Sequence, residues 1–239
     1  MVIQTKGKIF LADERGLNEL DWFRSYNTFN FGQYYNEHKQ PFGPLYVLNE
    51  DTLAGHQSLA MTVEEDSDII LIPVVGAIDV RDTLGNDGIV EAGQVQVLDM
   101  PKGASVEITN SYETSLVKYL QVWIKKNPGH TAQAAPRVLS FNLEQDHNRI
   151  IELFSLPGNS AAPHIVSIGK FDGREEAVYT LRNAGQGLFA FVIEGVFEAQ
   201  DRLLHAGDGL AVWDLQEVEL EALSNNAIIL LLEVPVPAC

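Results

Sequence analysis

The strongest constraint on this chain is a side-chain period of two that appears in each of its halves. Ala104, Val106 and Ile108 alternate with Ser105, Glu107 and Thr109, and Val218, Leu220 and Ala222 alternate with Glu217, Glu219 and Glu221. Successive side chains of an extended strand point to opposite faces, so each segment predicts a strand with one apolar and one polar face. Between residues 45 and 124, short runs of Val, Ile and Leu are separated by turn signals such as Asn49-Glu-Asp51, Gly85-Asn-Asp-Gly88 and Asn110-Ser111. The same punctuation resumes after residue 137. The only helix the pattern predicts is a short one over residues 17–25. An all-β chain follows.

The two halves share an outline. An apolar run ends at Gly76, a polar hairpin follows, and then comes Glu91-Ala-Gly-Gln-Val-Gln-Val-Leu98; in the second half a run ends at Gly195 and leads through a hairpin to His205-Ala-Gly-Asp-Gly-Leu-Ala-Val-Trp213. Repetition of a unit of many short strands predicts two tandem barrels or jelly rolls. Residues 125–137, Lys-Lys-Asn-Pro-Gly-His-Thr-Ala-Gln-Ala-Ala-Pro-Arg, have linker composition and no apolar period. The expected domains are therefore 1–130 and 131–239. Residues 1–50, rich in aromatics such as Trp22, Tyr26, Phe29, Phe31, Tyr34 and Tyr35 among Asn, Gly and Gln, read as loop-like packed wall.

Charge and cysteine usage narrow the partners. With 33 acidic and 16 basic side chains the formal charge is −17, and the densest basic group is only Lys125-Lys126. Such a field repels phosphate backbones and acidic membrane surfaces, so neither nucleic acid nor membrane is an expected partner. The longest apolar runs, residues 69–77 and 227–232, fall far short of the roughly 20 residues a membrane-spanning helix needs. No secretory signal pattern opens the chain, and the single cysteine, Cys239, excludes an internal disulfide and paired-thiolate metal sites. A cytoplasmic protein is the expectation.

Several ordered segments resemble the pirin family of bicupins, and most nearly its YhaK-type branch. They are Trp22-Phe-Arg-Ser-Tyr-Asn-Thr-Phe-Asn-Phe31, Phe42-Gly-Pro-Leu-Tyr-Val-Leu-Asn-Glu-Asp51, Gly76 with Arg81-Asp-Thr-Leu-Gly-Asn86, Gly93-Gln-Val-Gln96 and Leu120-Gln-Val-Trp-Ile124. In the second half the resemblance rests on the outline and on Ala206-Gly-Asp-Gly-Leu-Ala-Val212. It implies two cupin barrels, that is, double-stranded β-helices of jelly-roll type, in one chain that is expected to be a monomer. It also implies, for metal-bearing members, iron or another divalent ion held in the N-terminal barrel by a His-x-His pair, a third histidine and a glutamate two residues after it. Some such members are quercetin 2,3-dioxygenases.

Transferred by counting back from Gly76 and along Pro101, Gly103 and Asn110, those ligand positions fall on Thr62, Glu64, Val106 and Ile108. The same count from Gly195 gives Leu181 and Asn183 in the second half. Imidazole and carboxylate suit a redox-active divalent ion, whereas these side chains are poor or incapable ligands. The expectation is a pirin-like protein without a metal cofactor, its catalytic residues undefined, with Thr62, Glu64, Val106 and Ile108 lining a cavity that takes a small molecule or serves regulation. One alternative is a quercetinase-like dioxygenase whose rearranged site holds Fe, Mn or Ni through Glu64, Asp68 and His56. For this, Glu64, Asp66 and Asp68 would have to share one face of an extended strand. A second alternative is a protein-interaction module.

Overall fold

The computed structural model describes residues 5–126, 134–156, 163–183 and 185–236; Cys239 and most of the expected linker lie outside them. Twenty-one strands and one short 3₁₀ turn make up the regular structure among these residues. No helix among them is long and apolar enough to cross a membrane.

The chain divides into two units. In the unit built from residues 16–41 and 45–141, one antiparallel sheet runs in the spatial order Arg137–Ser140, Gln94–Met100, Ser67–Val75, Val117–Lys125, Leu45–Leu53, Phe23–Asn27, Gly16–Leu20. The second sheet runs Ser58–Thr62, Ser105–Thr109, Ala77–Asp82, Asp87–Glu91. The facing sides of the two sheets close on a core that includes Val63, Ile69, Leu71, Val80, Leu98, Val106, Ile108 and Trp123. In the other unit the larger sheet runs Gly7–Phe10, Gly209–Val212, Gln186–Glu194, Ala227–Pro235, His164–Phe171, Arg149–Leu156, and the smaller runs Glu176–Thr180, Glu217–Ala222, Val196–Ala199, Arg202–His205. Its core includes Phe171, Leu188, Val192, Phe197, Leu210, Val218 and Leu231.

The internal repeat holds strand by strand. Nine consecutive strands from Phe23–Asn27 onward occupy the sheet positions that the nine strands from Arg149–Leu156 onward occupy in the other unit, with Gly16–Leu20, Arg137–Ser140 and Gly7–Phe10 as edge additions. Gly76 and Gly195, which anchored the sequence match, both adopt left-handed φ, +79° and +81°. Without a Cβ, glycine takes this conformation without steric cost, and both residues turn one long strand into the next.

Two expectations change. Residues 17–25 form a hairpin, Gly16–Leu20 paired with Phe23–Asn27, in place of a helix. Phe23, Ser25 and Asn27 are buried while Arg24 is exposed and Tyr26 half-buried, a period of two that a helix would scramble. The division also differs from a cut at 130/131. Residues 1–15 and 42–44 group with the C-terminal unit, because Gly7–Phe10 pairs with Gly209–Val212, whereas residues up to 141 group with the N-terminal one, because Arg137–Ser140 pairs with Gln94–Val97.

Candidate functional site

The strand Ser58–Thr62 decides what the N-terminal barrel can hold. It pairs with Ser105–Thr109 so that Met61 stands opposite Val106, Leu59 opposite Ile108 and Thr62 opposite Ser105. Val63 continues the ladder through its N–H to the Ala104 carbonyl (2.8 Å) and its carbonyl to the Gly103 N–H (2.8 Å). Leu59, Met61 and Val63 therefore share the barrel-facing parity with Val106 and Ile108, while Ser58, Ala60, Thr62 and Glu64 are exposed.

This separates the four positions carried over from the sequence. Val106 and Ile108 are fully buried in the apolar core. Thr62 and Glu64 lie outside that core. The side chains that meet Val106 and Ile108 within the barrel are Leu59, Met61 and Val63. Counting from Gly76 misses this parity because residues 64–66 leave the ladder and bend before Ser67.

The alternative acidic set does not converge either. The same turn removes Glu64 and Asp66 from any common face with Asp68. Asp66 accepts the Lys102 backbone N–H (2.7 Å), and Asp68 is ion-paired with Lys126 (3.0 Å), which also reaches Asp99 (2.5 Å). His56 sits at the opposite end of the strand from Glu64, in left-handed conformation, with its backbone N–H directed at the carbonyls of Asn110 and Tyr112. Among the described residues no group of three or more His, Cys, Asp or Glu is arranged to hold a metal ion. In the second unit Leu181 is part of the core and Asn183 makes local contacts, its side-chain amide to Gln186 and its N–H toward Glu233.

Open space lies at the rim of the N-terminal barrel. A cavity of about 480 Å³ is lined by Asn30, Phe31, Gly32, Tyr34, Tyr35, Tyr46, Met61, Thr62, Glu64 and Trp123. Tyr46 and Phe31 meet the Trp123 ring edge-on, with centroids 6.1 and 5.9 Å away. These three rings also pack on the core, so the wall they form is rigidly backed. The Tyr46 hydroxyl is bonded to Ser67 Oγ (2.7 Å), and burial pushes this phenol up to about 12, so it stays protonated at neutral pH. Residues 30–35, read from the sequence as packed wall, supply half of this surface: Phe29 is buried, but Tyr35 is exposed and Phe31 and Tyr34 face the cavity. No periodicity marks them, because they come from a loop.

Beneath the cavity the barrel carries polar side chains. Asn49 and Asp51 face inward between Val47 and Leu53, and Gln121 does so between Tyr119 and Trp123. Trp123 Nε1 donates to Gln121 Oε1 (3.0 Å), and Gln121 Nε2 donates to Asp51 Oδ2. Burial pushes the Asp51 carboxyl up to about 7, against hydrogen bonding from Ser25, Gln121 and Tyr119 that pulls it down. Sequence reasoning took Asn49-Glu-Asp51 for a turn; these residues lie inside the strand Leu45–Leu53.

Two double-stranded antiparallel barrels repeated in one chain define a bicupin. The comparisons with known proteins name the family: residues 11–124 match the Pirin domain and residues 164–234 match the quercetinase C-terminal cupin domain. The chain belongs to the pirin family. A quercetin 2,3-dioxygenase of Escherichia coli (strain K12) is 25% identical over 222 residues, covering 92% of this chain and 95% of that one. A pirin-like protein of Caulobacter vibrioides is 31% identical over 113 residues, 47% of this chain and 48% of the other. Among solved structures, the bacterial pirin YhhW of Escherichia coli in complex with nickel(II) has a TM-score of 0.80 at 21% identity, covering 97% of this chain and all of that one. YhaK of Escherichia coli has a TM-score of 0.71 at 22% identity, covering 89% and 94%.

The family implies a divalent metal in the N-terminal barrel, and donor chemistry tests whether it fits here. Met61, Val63, Val106 and Ile108 offer one thioether and no nitrogen or oxygen donor. A hard or borderline divalent ion requires imidazole, carboxylate or other oxygen ligands, so these residues do not fit it.

Proposed function

We propose that this pirin-family protein binds a flat aromatic small molecule in the rim cavity of its N-terminal barrel, and that it does so without the family's metal chemistry. The observation that carries the reading is the division of that barrel into a closed apolar interior at Val63, Val106 and Ile108 and an open, aromatic-walled cavity that Met61 also lines. Phe31, Tyr34, Tyr35, Tyr46 and Trp123 present ring faces and edges suited to a planar ligand. Asn30, Thr62 and Glu64 add polar groups at its margin. The names of the relatives make a flavonol the natural first probe. A regulatory role through ligand occupancy, and a monomeric state, accompany this reading.

Quercetin titrated into protein purified without chelator tests it, with tryptophan fluorescence for binding, elemental analysis for metal and oxygen uptake for turnover. The expected result is saturable binding, unchanged by added Fe(II), Mn(II) or Ni(II), with substoichiometric metal and no oxygen consumption. Stoichiometric metal or metal-dependent oxygen uptake would overturn the reading in favour of a dioxygenase. Absence of binding would leave the cavity without a ligand role.

A further inference from the structure

Building on the aromatic-ligand reading of the rim cavity, we propose that this cavity selects a positively charged guest, so that the flat molecule it takes carries a fixed positive charge, as an N-alkylated heteroaromatic ring does. Glu64 is the one charged side chain among the described residues that line the cavity, and no lysine, arginine or histidine joins it there. Its carboxylate has no ion-pair partner among the described residues, whereas the neighbouring Glu65 is paired with Lys125 (3.2 Å).

The aromatic walls favour the same sign. Trp, Tyr and Phe rings carry negative charge density on their faces and attract a cation lying within about 6 Å of the ring centroid. Two of the polar hydrogens that an anion would need are already spent. Trp123 Nε1 donates to Gln121 Oε1 inside the barrel (3.0 Å). Ser67 Oγ donates its only proton to the Glu65 carbonyl (2.7 Å), so in the Tyr46–Ser67 pair (2.7 Å) the tyrosine is the donor. The other polar side chains on the lining are the Asn30 amide and the hydroxyls of Thr62, Tyr34 and Tyr35; all are uncharged, and a hydroxyl offers its oxygen as readily as its hydrogen, so they do not decide the sign. Burial is the largest influence raising the Tyr46 phenol, and the charges of Glu65 and Glu64 raise it further, which places this wall within their negative field. The formal charge of −17 adds attraction at longer range. Because Glu64 is exposed, solvent and salt screen its share, and the preference for a cation is several-fold rather than all-or-none.

The test titrates the full chain with three bicyclic probes of similar size in a calorimeter at about pH 8: N-methylquinolinium, a fixed cation; 4-methylquinoline, the uncharged counterpart; and 2-naphthoate, an anion. N-methylquinolinium should bind at least about fivefold more tightly than 4-methylquinoline, with 2-naphthoate the weakest, and the advantage should shrink as salt is raised. Glu64→Gln, a change at an exposed position, should lower the cation-to-neutral affinity ratio at least about threefold. A ratio that Glu64→Gln retains in full would come from the general field of an acidic chain and overturns the proposal. Equal or tighter binding of 4-methylquinoline or 2-naphthoate overturns it too, while leaving the aromatic reading of the cavity in place. Failure of all three probes to bind overturns both.

Discussion

Replacing Asp51 by asparagine should change how the stability of the N-terminal unit depends on pH, in a direction opposite to that of an ion-paired carboxylate. Burial is the largest influence on Asp51 and Glu50 adds to it, while hydrogen bonds from Ser25, Gln121 and Tyr119 oppose it; the balance lifts the carboxyl from 3.8 to about 7. The unfolded chain then releases the proton near pH 4, but the folded chain holds it to about pH 7. The unfolded state thus binds fewer protons across this interval, and stability declines as pH rises through it. A displacement of about three pH units at roughly 1.4 kcal/mol each amounts to about 4 kcal/mol, present in full below about pH 4 and lost by about pH 8. Asparagine cannot ionise, so the unfolding free energy of wild type minus that of Asp51→Asn should fall by about this amount between those limits. Any constant offset from altered hydrogen bonds cancels from the slope. Urea unfolding followed by tryptophan fluorescence at a series of pH values measures it, and parallel profiles for the two proteins would refute the burial argument.

Grafting tests the parity of the metal-position residues: Met61→His, Val63→His, Val106→His and Ile108→Glu together should create nickel-dependent thermal stabilisation, whereas Thr62→His and Glu64→His combined with the same two changes at 106 and 108 should not. Equal stabilisation of both sets would show that the inward face has been misassigned. Ile108→Ala, which empties part of a fully enclosed core, should cost about 2–5 kcal/mol in chemical unfolding, and a loss below about 1 kcal/mol would mean that open space already exists there. His164 is almost fully enclosed and burial pushes it down to about 4. The unfolded chain takes up its proton first as pH falls from about 6.5 to 4, so up to about 3 kcal/mol of stability should be lost in that window and spared in His164→Gln. Acid-unfolding curves compare the two.

How much of this was legible in the sequence depended on how local each cause was. The period of two at residues 104–109 and 217–222 marks strands because pleating acts between neighbours, and both segments are strands. Gly76 and Gly195 revealed the repeat because a left-handed turn selects glycine at the position itself. Edge pairing is different: nothing in Gly7–Phe10 announces Gly209–Val212, a partner about two hundred positions away, so a linear cut misassigned the first residues. Parity at Thr62 and Glu64 failed for an intermediate reason. Counting from a distant glycine assumes that every residue between advances the strand, and the bend at 64–66 does not. Asn110, used as a counting mark with Pro101 and Gly103, has its own structural role, since it donates to the carbonyls of Leu53 (2.9 Å) and Ser115 (2.8 Å) and accepts the Tyr112 N–H (3.0 Å). That residue holds a turn together, a task independent of any metal.

The most informative misreading is Asn49-Glu-Asp51. Asn and Asp are depleted in strands and favoured in turns, so taking them for a break between strands followed the ordinary preference. The strand Leu45–Leu53 nevertheless runs through them, held by in-register neighbours on both sides, and turns both side chains into a largely apolar barrel interior. Local preference, burial and polarity all count against these two residues there. The apolar substitution of every barrel-facing position that a metal site would share with residues 106 and 108 shows that this interior accepts hydrophobic side chains freely. The Trp123–Gln121–Asp51 chain of hydrogen bonds ties these buried polar groups to the wall of the rim cavity, so a change at Asp51 should be felt at the Trp123 ring.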